Sequence, residues 1–455
     1  MNFFPTDFVW GAATSSHQIE GAVAIDGRGP SVWDVFAHTP GKVWNNQNAD
    51  EACDHYRRAG EDVGLMRELG LGGYRFSISW SRVLPAGIGA VNQAGLDFYD
   101  RFVDALCAAG IQPFVTLFHW DFPYELYCRG GWLNRDSADW FAEYTRVVVE
   151  RLSDRVRFWM THNEPQCTVG LGHQLGIHAP GDQLGWAQVL RINHHLLLSH
   201  GRAVQAIRAY AKQKSAIGLA PVGVTTLPAS TAPEDIEAAR QATFSLSLDG
   251  KPNTWNQVLY SDPIFFKRYP DEAYTIFGKA MPQVAADDLA MIGQPLDFFG
   301  CNIYHAEQIA RMGADGKPEL LSRPVGDART LAYWPVTPEV LYWGPRFIYE
   351  RHQLPIYITE NGISLSDWVA LDGAVHDPQR IDYTTRYLRE LRRAMSDGVD
   401  VRGYFHWSLM DNFEWAEGYR QRFGLVYVDY PTQRRIPKDS ARWYAEVIRL
   451  NGANL

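Results

Sequence analysis

Cysteine is scarce in this sequence. The five, at positions 53, 107, 128, 167 and 301, are dispersed, odd in number and never spaced C-x-x-C. Neither a disulfide framework nor a zinc site is expected from them. Basic charge is in the minority, with 43 Lys and Arg against 52 Asp and Glu and a net charge of -9. A nucleic-acid partner, which needs a basic footprint, is therefore excluded. No apolar run is long enough to span a bilayer, so no membrane association is expected. The opening Met1-Asn2-Phe3-Phe4-Pro5 lacks the basic start and long apolar stretch of a signal peptide. The expected setting is the cytoplasm. His194, His195 and His200 share one helical stretch without H-E-x-x-H or carboxylate company, which predicts a core or surface place and no metal. Gly170-Leu171-Gly172-His173 is not a dinucleotide fingerprint and follows no strand, so dinucleotide binding is not expected. Linkers, low-complexity tracts and charge blocks are missing as well. Residues 1–455 read as one domain.

Aromatic rings are plentiful, at 13% with 16 Trp. Packing in the core accounts for most of them, but flat C–H faces of sugars also stack on such rings. Along the chain a short β-rich run, a polar loop and an amphipathic helix recur. Candidate strands are 8–13, 73–79, 113–118, 156–161, 216–220, 297–302, 355–359 and 403–407. Between them, Leu96, Tyr99, Phe102, Val103 and Leu106 fall on one helical face, as do Trp140, Tyr144, Val147, Val148 and Leu152. Thr337-Pro338-Glu339 reads as an N-cap followed by Pro at the first helical position. Eight alternating strands and helices predict an α/β fold, a single (β/α)8 TIM barrel, with a doubly wound open sheet as runner-up. The chain exceeds the roughly 250 residues of a minimal barrel. Its surplus lies in loops at 27–50, 120–135, 165–185, 222–258, 304–336 and 408–438, which are expected to shape a pocket.

Polar and aromatic residues stand at the strand ends. Gln18 and Glu20 follow the first and Arg75 lies in the second. His119 and Trp120 close the third, Asn163 and Glu164 the fourth, Asn302 and Tyr304 the sixth, Glu360 the seventh and Trp407 the eighth. In a parallel barrel these points converge on one mouth. Two are carboxylates, Glu164 and Glu360. Paired carboxylates suit cleavage of an acetal: one protonates the leaving oxygen and the other meets positive charge at the anomeric carbon.

Thr161-His162-Asn163-Glu164-Pro165 and Ile358-Thr359-Glu360-Asn361-Gly362 resemble the two signature motifs of glycoside hydrolase family 1, the β-glucosidase family. Phe8-Val9-Trp10-Gly11-Ala12-Ala13-Thr14, with Gln18-Ile19-Glu20-Gly21, is similar to its opening. Tyr74-Arg75-Phe76-Ser77-Ile78-Ser79-Trp80 and Leu117-Phe118-His119-Trp120-Asp121 are similar to its second and third strands. Trp407 through Trp415 and Arg422-Phe423-Gly424-Leu425 are similar to its sugar-binding end. The similarity runs from about Phe4 to Arg449.

The resemblance implies a retaining double displacement on small β-glucosides and β-linked oligosaccharides, with no cofactor. Glu360 would be the nucleophile and Glu164 the acid/base. Arg75 and Tyr304 would hold Glu360 charged, and Asn302 would support the acid/base side. Asn163 would donate to the sugar 2-hydroxyl. Gln18, His119, Trp120, Glu414 and Trp415 resemble the hydroxyl-binding set, Trp407 the stacking floor and Phe423 the wall near C6. Trp334 stands in a looser context, where the readings are an aglycone-facing wall and a loop-packing role. Position 166 departs from the family: it is Gln where many members have Trp, so the wall beyond the first sugar is expected to differ. β-Galactosides and β-fucosides are further expected substrates. The rival readings are a 6-phospho-β-glycosidase, a non-catalytic sugar-binding relative and a metal-dependent barrel lyase or isomerase. The first carries Ser and a Lys/Tyr clamp near the positions of Glu414 and Trp415. The second loses a catalytic Glu.

Overall fold

The computed structural model describes residues 4–455; residues 1–3, on which the reading of the chain's opening partly rests, lie outside them. Eight strands form the centre: β1 (Val9–Ala13), β2 (Gly73–Ser77), β3 (Gln112–Phe118), β4 (Phe158–Asn163), β5 (Ala216–Ala220), β6 (Phe299–Asn302), β7 (Ile356–Asn361) and β8 (Val401–Trp407). Hydrogen-bonded neighbours run β5-β4-β3-β2-β1-β8-β7-β6, every pair parallel. The two outermost strands meet through separate contacts instead of a ladder. Asp297 N donates to Ile217 O at 2.8 Å, Asn302 N to Pro221 O at 3.1 Å and Gly223 N to Asn302 O at 2.7 Å. The sheet thus curls round into the (β/α)8 barrel and is not an open doubly wound sheet.

Inward-facing side chains plug the bottom of this barrel. Phe114 stacks on Phe158 with centroids 4.2 Å apart and meets Phe405 edge-on at 4.7 Å. Tyr357, Phe298 and Met160 complete the plug. Each such side chain contributes about 1.5–3 kcal/mol by leaving water. Glycine makes room where rings or backbones crowd. A Cβ at Gly11 would sit 2.5 Å from Phe405 Cδ1, and one at Gly300 would sit 2.6 Å from Leu219 O, where β6 approaches β5. The outer layer follows the helical periodicity: Leu96, Tyr99, Phe102, Val103 and Leu106 are all buried on the helix Gln93–Ala108.

Several local expectations shift, β2 ending at Ser77 and β6 starting at Phe299 among them. The fourth strand starts at Phe158, not 156, because Val156 N still donates to Leu152 O of the preceding helix at 2.9 Å. It runs on to Asn163, and β7 runs on to Asn361, so Asn163 and Glu360 belong to the strands themselves. The helix expected to open at Thr337 runs Val340–His352. The Thr337 hydroxyl is taken by Ala306 N at 2.9 Å and so does not cap it.

The histidines of the helix Trp186–Tyr210 are core residues. His194 lies 2.9 Å from both Tyr269 Oη and Asp288 Oδ2, and His200 lies 2.7 Å from Thr161 Oγ1. Among the described residues no helix is long and apolar enough to cross a membrane. Beyond β5 and β6 the chain adds a three-stranded sheet, Thr226–Pro228, Gln308–Met312 and Pro318–Leu321, packed on the helix Pro233–Thr243.

Candidate active site

The C-terminal ends of the strands open into a cavity of about 1450 Å³. Of the residues singled out for the site from the sequence, all line it but Glu20, which instead accepts from Arg82 Nε at 2.8 Å and from Tyr99 Oη at 2.6 Å, and Arg75 and Gln18. Those two are fully buried behind its wall. Its outer part is built by 222–225, 242–256, 302–320 and 331–334. The loop 27–50 stays out of the cavity and packs behind it, with Trp33 4.6 Å from Trp415.

Glu360 and Glu164 share burial but differ in what touches them. Glu360 Oε1 accepts from Arg75 Nη1 at 2.5 Å, and Oε2 accepts from Tyr304 Oη at 2.6 Å. Arg75 is itself fixed, donating from Nε to Thr116 Oγ1 at 3.1 Å and from Nη2 to Asn163 Oδ1 at 2.6 Å. Burial pushes the Glu360 carboxyl up, and Arg75 and then Tyr304 pull it back toward the ionised form. Glu164 has no cation on it. Oε1 accepts from Asn302 Nδ2 at 3.0 Å and Oε2 from Cys167 Sγ at 3.2 Å. Burial, followed by the charge of Glu360, pushes Glu164 up to about 8. A proton shared by the pair therefore settles on Glu164.

The far end of the cavity is aromatic with one carboxylate. His119 stacks on Trp407 at 5.9 Å and on Trp415 at 5.8 Å, and Trp120 lies 4.5 Å from Trp415. Burial, then Arg75, holds His119 far below its usual range, so it is neutral and accepts at Nε2 from Asn163 Nδ2 at 3.0 Å. Its Nδ1 has no protein partner among the described residues. The Trp120 indole N–H donates to Asn163 O at 3.0 Å, so Trp120 presents a ring and not a donor. Gln18 Nε2 reaches Phe413 O at 2.9 Å, Asn412 Oδ1 at 3.0 Å and Glu414 Oε2 at 3.3 Å. Burial, then the charges of Glu360 and Glu164, pushes Glu414 up to about 8. Phe423 packs 5.9 Å from Trp334, which also leans on Tyr304 at 5.1 Å. Trp334 is thus both a cavity wall and a packing residue. Backbone strain gathers here: Trp120, Glu164, Tyr333 and Trp415 have φ of 76, 41, 61 and 53°. Such conformations cost of order 1–3 kcal/mol each and persist where the surroundings enforce them.

A family model described as glycosyl hydrolase family 1 matches residues 1–453. The chain belongs to glycosyl hydrolase family 1. Among similar relatives, beta-glucosidase A of Thermotoga maritima is 44% identical over 99% of this chain and 98% of its own. Beta-glucosidase of Agrobacterium sp. is 44% identical over 97% of this chain and 94% of its own. The solved family 1 β-glucosidase of Thermotoga maritima superposes with a TM-score of 0.90 at 44% identity, covering 99% of both chains. The same enzyme in complex with glucoimidazole covers 99% of this chain and 100% of its own, with a TM-score of 0.90.

Against that family background, Gln166 is the informative departure. Its side chain is fully buried and absent from the cavity wall. It straps two loops together: Oε1 accepts from Val222 N at 3.2 Å and Nε2 donates to Asn256 O at 3.2 Å. The outer aromatic surface comes instead from Trp255, 41% exposed, and Tyr333, 79% exposed. Sequence reasoning passed over both, since they lie in irregular loops. It also passed over Thr116, Cys167 and Thr359, whose hydroxyl donates to Asn302 Oδ1 at 2.6 Å. Only Thr359 carried a signal, its place in the Glu360 motif.

Proposed function

We propose that this protein is a retaining exo-β-glucosidase, one catalytic unit over 1–455, that releases glucose from nonreducing ends of β-glucosides and β-linked oligosaccharides. The observation that carries the reading is the unequal treatment of two carboxylates in one cavity: Glu360 lies against a guanidinium and a phenol, Glu164 against an amide and a thiol. In the first step Glu360 attacks the anomeric carbon while the Glu164 proton passes to the departing oxygen. In the second, Glu164 takes a proton from water, whose oxygen displaces Glu360 from the sugar. Asn163 faces the 2-hydroxyl. His119 Nδ1, Glu414 and Trp415 bind the remaining hydroxyls, with Gln18 aiming Glu414. Trp407 and Phe423 wall the ring. The names of the relatives support glucose as the sugar.

Retention predicts that β-glucose appears before its anomer when hydrolysis of nitrophenyl β-glucoside is followed by proton NMR. A 2-deoxy-2-fluoroglucosyl substrate with a dinitrophenyl leaving group should esterify Glu360, seen by peptide mass. α-Glucose first, or label on Glu164, overturns the assignment. Activity needs Glu164 protonated, so kcat/KM falls as pH rises through about 8.

Glu414 separates this reading from the 6-phospho branch. It places a carboxyl where a 6-phosphate would sit, so the phosphate is excluded by space, and as pH rises through about 8 the ionised carboxyl adds like-charge repulsion, which is strong in a partly dried pocket. Leaving a buried sugar hydroxyl without its acceptor costs about 1–3 kcal/mol. Glu414→Ser should therefore lower kcat/KM for nitrophenyl glucoside roughly 10–100-fold, and ease exclusion of the 6-phosphate without making it a good substrate. A wild-type preference for the 6-phosphate would overturn both the role and the branch.

A further inference from the structure

Glu164 begins a tight corner. Its φ of 41° turns the chain out of β4, and Cys167 N then donates to Glu164 O at 2.9 Å. Residues three apart on such a turn share a face, so the thiol returns over the carboxyl. Cys167 Sγ lies 3.2 Å from Glu164 Oε2, on the oxygen that Asn302 does not touch. Cys167 is buried yet lines the cavity, and it opens the wide helical segment Cys167–Gln174. The thiol is far from being a nucleophile. Burial, then the charge of Glu164, pushes it well above its usual range, so it stays a donor throughout the working pH.

We propose that Cys167 is a positioning residue for Glu164, its S–H holding the second carboxyl oxygen in place and favouring the ionised form weakly. This rests on Glu164 being the acid/base. The physical logic lies in the contrast with Glu360. A strong donor on Glu164 would do what Arg75 does across the cavity, and an ionised group cannot protonate a leaving oxygen. A thiol is a weak donor and a weak acceptor. It fixes the carboxyl in both protonation states while leaving it basic enough to hold its proton. Other charged or titratable groups around Glu164 are the Glu360 and Glu414 carboxyls, Arg75, the Tyr304 phenol and the Cys301 thiol. None of these makes a hydrogen bond to the Glu164 carboxyl.

The test is the basic limb of kcat/KM for cellobiose in two variants of similar volume. Cys167→Val removes the donor and should move that limb up by about 0.5–1 pH unit, the size expected of one weak hydrogen bond to a charged group. Cys167→Ser supplies a stronger donor and should move it down. Opposite displacements, with melting temperatures near wild type, support the assignment. A uniform loss at every pH with the limb unmoved in both variants indicates packing alone and overturns it. Azide rescue of Glu164→Ala is measured alongside. Without rescue the acid/base reading itself fails; with rescue and an unmoved limb, only the role of Cys167 fails.

Discussion

Glu164→Ala should lower kcat/KM for cellobiose by about 10²–10⁴-fold or more, the range spanned by general acid–base catalysis. Dinitrophenyl glucoside, whose leaving group departs without a proton, should keep its first step nearly intact. Its turnover should then stall at the second step, because nothing deprotonates the water. Azide needs no deprotonation and fits the space left by the carboxylate. It should restore turnover of the activated substrate and yield β-glucosyl azide. Equal losses on both substrates, with no azide product, would place the acid/base elsewhere.

Arg75→Met should be felt in stability and in the pH profile together. Arg75 is fully buried, and its guanidinium is committed to Glu360, Asn163 and Thr116. Removing one partner of a buried ion pair costs about 3–5 kcal/mol, because the other charge is left behind. Glu360, already pushed up by burial and pulled back first by Arg75, would then rise further above its value in the unfolded chain. A carboxyl raised in the fold adds stability below its unfolded pKa and loses it as pH climbs through the folded value. The gap in melting temperature between wild type and variant should therefore widen as pH rises above the ordinary carboxylate range. With Glu360 as the proposed nucleophile, which attacks only when ionised, the acid limb of kcat/KM should move to higher pH. A variant whose stability gap is flat with pH would show that Arg75 does not set the charge of Glu360.

The barrel was legible because strand-forming runs alternate with faces such as Leu96, Tyr99, Phe102, Val103 and Leu106, and because polar residues end those runs. Parallel strands carry their C-terminal ends to one side, so the sequence alone brings residues from 18 to 423 to one mouth. The shifts at Val156 and Thr337 came from tertiary partners, Leu152 O and Ala306 N, that no local pattern announces. Polar detail was hidden for the same reason. That the Trp120 N–H is spent on Asn163 O, or that Gln166 is a buried strap, depends on neighbours far away in the chain. Cys167 was read only as one of five dispersed thiols. Its meaning comes from the left-handed corner at Glu164, which folds it back by three residues.

The junction between β5 and β6 has a mechanical side. Glu164 is moored across it: its backbone N–H is tied to Ala220 O at the end of β5, at 2.8 Å, while its side chain is tied to Asn302 at the end of β6. The two long excursions that wall the outer cavity leave from these same two strands, 222–258 from one and 304–336 from the other. Cavity wall and Glu164 thus share one junction that has individual bonds where the other strands have ladders. The position of the Glu164 carboxyl is therefore set by the ends of the same two strands from which the outer walls depart.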